Sequence, residues 1–169
     1  PVAYELYLQA KHTFKNRLST QDNDIAMELI KKALSIDPYF LDAKIFQGSI
    51  YHGNDNDKAL AIYEEANELA LKIKDNQAII EIKYWIGWIF LDRRELGKSL
   101  KLYRESYQIA KKIGNKSSIA KSMASLGDYF YEILNYDSTR FYWAGSLELY
   151  ESLDDKEGIA NVLRKMALI

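Results

Sequence analysis

Few side chains in this sequence are of a type that does chemistry, and their spacing argues against most of it. His12 and His52 are the only groups that normally titrate near neutral pH. Both fall late on predicted helices, with no carboxylate at a ligand spacing such as His-Glu-x-x-His, so they read as surface or groove histidines rather than metal ligands. Asp55-Asn56-Asp57 has the outline of a calcium loop but lacks the central glycine and closing glutamate that such a loop requires. It reads instead as a turn whose side chains cap the helix entered at Lys58-Ala59. No glycine-rich phosphate loop is present, and no nucleophile has a base at an evident spacing. Zero cysteines exclude disulfides and thiolate metal sites. The expectation is therefore no catalysis, no cofactor and no metal within these residues. Binding remains, and the 13 tyrosines and 3 tryptophans are the residue types suited to it.

The composition sets bounds on the partner. At 169 residues the chain is large enough to bury a sizeable core, and with 48% hydrophobic and 28% charged residues it reads as a folded domain. Lys and Arg total 23 against 24 Asp and Glu, so the basic excess of a nucleic-acid binder is missing. No apolar run approaches the ~20 residues of a spanning helix, which argues against a membrane partner. Glu5, Lys11 and Lys15 interrupt every apolar stretch at the amino end, so no signal peptide is visible there. A cytoplasmic location is expected. The chain opens on Pro1 and closes partway through a repeat, and we expect it to be a piece of a longer protein.

The elements that position these residues repeat. Gly87, Phe90, Ser99, Tyr103 and Ser106 recur 40 residues later as Gly127, Phe130, Thr139, Trp143 and Ser146. Ala59, Tyr63 and Ala66 extend the period backwards, and Ile119-Ala120 recurs as Ile159-Ala160. Ala26, Ile30 and Ala33 precede Ala59, Tyr63 and Ala66 by 33. Within a unit, Ile79, Ile82, Ile86, Ile89 and Phe90 follow helical spacing; a polar break at Asp92–Glu95 precedes a second helix carrying Leu100, Tyr103, Tyr107 and Ala110. Gly114 suits a left-handed cap, and Pro38 ends the helix before it. The units predicted are residues 3–38, 39–74, 75–114 and 115–154, with a trailing helix over 156–168. No segment alternates as a strand would. The trailing helix is expected to act as a lid, with Ile159, Leu163 and Met166 on its buried side.

A bulky residue, a small one and an aromatic on the first helix, with small-x3-aromatic-x2-small on the second, resembles the tetratricopeptide repeat. Gly48, Tyr51, Ala59, Tyr63 and Ala66 carry the pattern, as do the two 40-residue sets above; the Asp37-Pro38 turn is a further mark, and the spacing resembles the long-helix subtype. The resemblance implies an all-α, right-handed superhelical solenoid of antiparallel helix pairs that binds a protein or peptide segment. The opening Ala3–Lys11, with a short insertion and then Ile36-Asp37-Pro38, is similar to the repeat region behind bacterial class III adenylate or guanylate cyclase domains. That implies, as an alternative, a non-catalytic region carrying or dimerising such an enzyme, although no cyclase catalytic sequence lies in these residues. Family members that clamp a terminal carboxylate use Lys, Arg and Asn along the groove, whereas this chain offers Leu8, His12 and Glu81.

The residues expected to bind a partner lie on the inner faces of the first helices. On the third unit they are Glu81, Tyr84, Trp88 and Leu91 at i, i+3, i+7, i+10, with Trp85 alongside. The second unit offers Asp42, Ile45, Ser49 and His52, and the fourth Lys121, Asp128 and Tyr131, with Ala124 between them. Trp85 and Trp88 suit either an anchoring role or packing between units, and the sequence leaves both open. A monomer or weak homodimer is expected.

Overall fold

From residue 56 on, helices begin at 20-residue intervals, and a capping side chain stands at five of those six starts. Asp55, Asp75, Asn115, Asn135 and Asp155 each accept the backbone N–H three residues on, from Lys58, Ala78, Ser118, Ser138 and Gly158, at 2.9–3.1 Å. Glu95 occupies the remaining place in that series and pairs with Lys98 instead. Helices end at left-handed residues in the same rhythm. Gly53, Arg94 and Leu134 follow the first helices of successive pairs, and Lys74, Gly114 and Asp154 the second, all with φ between 51° and 86°. The computed structural model describes every residue from Pro1 to Ile169; it is 83% helical, in nine helices without a strand. Packing divides it into two compact units, Pro1–Ala78 and Ile79–Ile169.

Unit 1 holds α1 (Val2–Lys15), α2 (Thr20–Ile36), α3 (Leu41–Tyr51) and α4 (Asn56–Ile73), each packed on the next. The insertion before α2 is closed by a capping box between Ser19 and Asp22. The backbone N–H groups of Leu18 and Ser19 donate to the Asp22 carboxylate and hold its pKa below the usual range. Ala26, Ile30 and Ala33, the residues of the 33-residue offset, are fully buried; Ala26 and Ile30 share a core with Ala10, Ala43 and Ile50. In the second pair Tyr63 lies over Gly48, where a Cβ would come within 2.5 Å of its ring.

Unit 2 contains α5 (Asn76–Asp92, its first turn at the boundary), α6 (Leu96–Ile113), α7 (Lys116–Glu132), α8 (Tyr136–Ser152) and α9 (Lys156–Met166). The glycine–aromatic fit repeats twice, Gly87 under Tyr103 and Gly127 under Trp143, and in each case any side chain on the glycine would overlap the ring. Serine in place of alanine does more than keep the helices close. Ser106 and Ser146 donate to the carbonyls of Ile80 and Ala120 on the preceding helices, at 3.4 and 2.8 Å. Ion pairs repeat as well: Lys44–Glu65 in unit 1 and Lys83–Glu105 in unit 2 join first helix to second at 2.5 and 2.6 Å. The trailing helix packs by a different stripe from the one expected. Val162 is its buried residue, flanked by Ile159 and Met166 against Trp143 and Tyr150, while Leu163 is 49% exposed. The stripe runs i, i+3, i+7 because Gly158 seats the Tyr150 ring and fixes the rotation of α9.

Candidate functional site

In unit 2 the first helices and the trailing helix enclose a cleft of about 250 Å3. Tyr84 of α5 forms one wall, Lys121, Ser125 and Asp128 of α7 the floor, and Glu157, Asn161 and Lys165 of α9 the other wall, with the Tyr150 ring at one end. The helical spacing of Lys121, Ala124 and Asp128 brings all three to one face. The Lys121 ammonium sits 4.9 Å from the Tyr84 ring centroid, a cation–π contact rather than an ion pair. Burial first, then the negative charge of Asp128, pushes the Tyr84 hydroxyl up to about 12, so it remains a donor at neutral pH. Asp128 accepts the Trp143 indole N–H at 3.0 Å on one oxygen and Lys165 Nζ at 2.6 Å on the other. One carboxylate thus ties α7 to both α8 and α9. The cleft combines two cations, Lys121 and Lys165, three carboxylates, Asp128, Asp155 and Glu157, two phenols and an amide, a set suited to recognising a polar side chain.

Tyr84, Lys121 and Asp128 therefore come together as one site. Trp88 and Leu91 line a second, smaller recess of about 130 Å3 with Asp92 and the Arg94–Glu132 ion pair, 3.3 Å long. Trp85 is half-buried with its ring edge-on to Tyr84, centroids 4.9 Å apart. Glu81 is half-buried on the same helix but outside the cleft lining. Tyr131 packs its ring against Trp143 and Tyr136. Ile45 and Leu91 are only 5% and 7% exposed, because an apolar side chain on these helix faces is drawn into the packing beneath. In unit 1, Asp42 is exposed, Ser49 donates to the carbonyl of Phe46 at 2.8 Å, and His52 is half-buried at the end of α3. His12 lies exposed on α1, within 3.3 Å of the Asn16 amide.

Asn161 and Lys165 were missed, though a 40-residue step from Lys121 lands on Asn161. The opening helix carries Tyr7, Ala10, Lys11 and Phe14 at the places equivalent to the first-helix residues of the second pair, and they form an aromatic face. Tyr7 meets Phe40 and Phe46 at 5.1 and 6.0 Å, Phe14 meets Phe46 at 5.5 Å, and Lys11 and Arg17 lie over the Tyr7 and Phe14 rings. A 38-residue step back from Ile45 and His52 reaches Tyr7 and Phe14, not Leu8 and His12.

No protein-family model matches the sequence, and no curated protein matches it. Among solved structures, BtubC from P. vanneervenii is similar over 99% of this chain at 14% identity with a TM-score of 0.68. The fold is a tetratricopeptide-like helical repeat. This chain spans 65% of the length of that structure. The MamA protein is matched over 90% of this chain and 96% of its own, at 19% identity and a TM-score of 0.38. No helix here is long and apolar enough to cross a membrane.

Proposed function

We propose that this chain is a non-catalytic protein- or peptide-binding module that holds a partner segment on the first-helix face of unit 2. The observation that carries the reading is Lys121, a half-buried cation stacked on Tyr84 rather than paired with a carboxylate, at the floor of a cleft sized for one side chain. A polar side chain of the partner enters there, and Trp88 supplies an aromatic contact one turn further along α5. Asp128 and Lys165 neutralise each other and set the shape of the cleft, Asp155 accepts the Gly158 N–H, and Glu157 adds an exposed carboxylate to the wall.

Selection from a displayed random-peptide library tests this, with affinities of the enriched peptides then measured in solution. Lys121→Glu should weaken them roughly tenfold or more, as for a hot-spot contact. The substitution should lower stability by about 1 kcal/mol or less, since only a half-exposed cation–π contact is lost. Peptides that bind Lys121→Glu as tightly as the parent chain would sink the proposal.

A further inference from the structure

α9 is built as a first helix, and the face its counterparts turn to a second helix is bare. A step of 39 residues and then steps of 40 align Leu41, Ile80 and Ala120 with Ala160. The same steps align Lys44, Lys83 and Met123 with Leu163, and Gly48, Gly87 and Gly127 with Ala167. On α3, α5 and α7 this face is covered. Leu41, Ile80 and Ala120 are at most 7% exposed, and the three glycines lie under Tyr63, Tyr103 and Trp143. On α9 Ala160 and Ala167 are exposed and Leu163 is 49% exposed. The three follow i, i+3, i+7 and so form one apolar stripe, turned away from buried Val162 and from Asn161 in the cleft. Lys156 heads the stripe and Arg164 flanks it, while Glu157 and Lys165 line the cleft.

The complete pairs show what covers such a stripe. Each second helix brings a small residue, an aromatic four places on and a small one three further: Ala59, Tyr63 and Ala66; Ser99, Tyr103 and Ser106; Thr139, Trp143 and Ser146. The ring lies over the glycine, and Ser106 and Ser146 donate to the carbonyls of Ile80 and Ala120. The residue before the last small one answers to the middle of the stripe. Glu65 pairs with Lys44 and Glu105 with Lys83, whereas Gly145 leaves room for the Met123 methyl. α9 alters two of these terms. Leu163 is apolar like Met123, so it calls for glycine rather than glutamate opposite. Ala167 carries a Cβ where a Cβ on the three glycines would overlap a ring, so a leucine takes the place of the aromatic.

We infer that the Ala160–Leu163–Ala167 stripe docks an amphipathic helix of a partner protein, patterned small-x3-Leu-x-Gly-Ser, as the second helix of a fifth pair. The packing rule that joins α7 to α8 thereby continues onto α9, since a first helix buries this face only against its second. The stripe lies apart from the Lys121 cleft, and the inference stands or falls separately from the ligand proposal.

A labelled 17-residue peptide of the α8 sequence, Tyr136–Ser152 carrying Trp143→Leu, has this pattern and serves as the probe. Fluorescence anisotropy against the full chain, from micromolar to near-millimolar, should show saturable binding. Adding Gly145→Glu to the peptide should weaken it roughly tenfold or more, and restoring Trp143 should weaken it as well. Leu163→Lys in the protein should reverse the first preference and favour the glutamate peptide, because it recreates the Lys44–Glu65 and Lys83–Glu105 pairs. Leu163 is half-exposed, so this variant should melt with the parent, which separates lost docking from lost folding. Absence of saturable binding, equal affinity for the glycine and glutamate peptides, or an unchanged preference in Leu163→Lys overturns the inference. So does a parent chain that dimerises by itself in sedimentation and is returned to monomer by Leu163→Lys, for the occupant is then a second copy.

Discussion

Gly127 is where the packing of unit 2 tolerates least. An alanine there would place its Cβ inside the Trp143 indole, which is 1% exposed and anchored through its N–H to Asp128 at 3.0 Å. The ring must shift, and overpacking of this kind costs about 1–3 kcal/mol. A displaced indole also loosens a hydrogen bond to a charged acceptor, worth about 1.5–3 kcal/mol. Against this stands the gain of about 1 kcal/mol from replacing glycine within a helix. The net loss for Gly127→Ala is thus about 1.5–5 kcal/mol. Gly97→Ala is the internal control: it lies in α6 with open space around it and should gain up to ~1 kcal/mol. Urea unfolding followed by circular dichroism reads both, while tryptophan emission reports the indole environment. If Gly127→Ala were as stable as Gly97→Ala, the close glycine–indole contact would not exist in solution, and the helix register of the fourth pair would have to be redrawn.

Val162→Ala should cost about 2 kcal/mol, and Leu163→Ala no more than ~0.5 kcal/mol, in thermal melts; the reverse order would mean that α9 docks by the other stripe. Alkaline pH offers a further check. Burial raises the Tyr84 and Tyr150 hydroxyls to about 12, and Tyr103 higher still, so the folded state holds protons that the unfolded chain releases near 10. Their stabilisation is complete below pH 10 and is lost as the pH rises from about 10 to about 12. Tyr84→Phe should flatten that loss in pH-dependent melts, and an unchanged slope would show that the phenol is not buried.

Much of the fold was legible in the sequence because repeats state their packing more than once. Gly87 and Gly127, which recur 40 residues apart, lie under Tyr103 and Trp143, and Arg93–Glu95 of the polar break fall between α5 and α6. Capping is local chemistry, so Asp55, Asn115 and Asn135 could be placed from their neighbours alone. Helical spacing likewise brought Lys121 and Asp128 to one face, and the repeat carried Tyr84 to theirs.

What spacing could not supply was rotation and partner choice. Helical periodicity leaves a residue or so of freedom in which stripe faces inward, and a ring on the neighbouring helix settles it. Tyr150 on Gly158 turned Val162 inward and Leu163 out, and on α1 it is Tyr7 and Phe14, rather than Leu8 and His12, that meet the Phe46 ring. Nothing in the order of residues joins Asp128 to Trp143 and to Lys165, 37 positions away; only the docking of α9 makes that one carboxylate the tie between three helices. Residue types and spacing determined the repeat and the helix ends, because those depend on contacts within a few residues. The cleft depends on side chains brought together by neighbouring helices, and tertiary packing alone decided which of them meet.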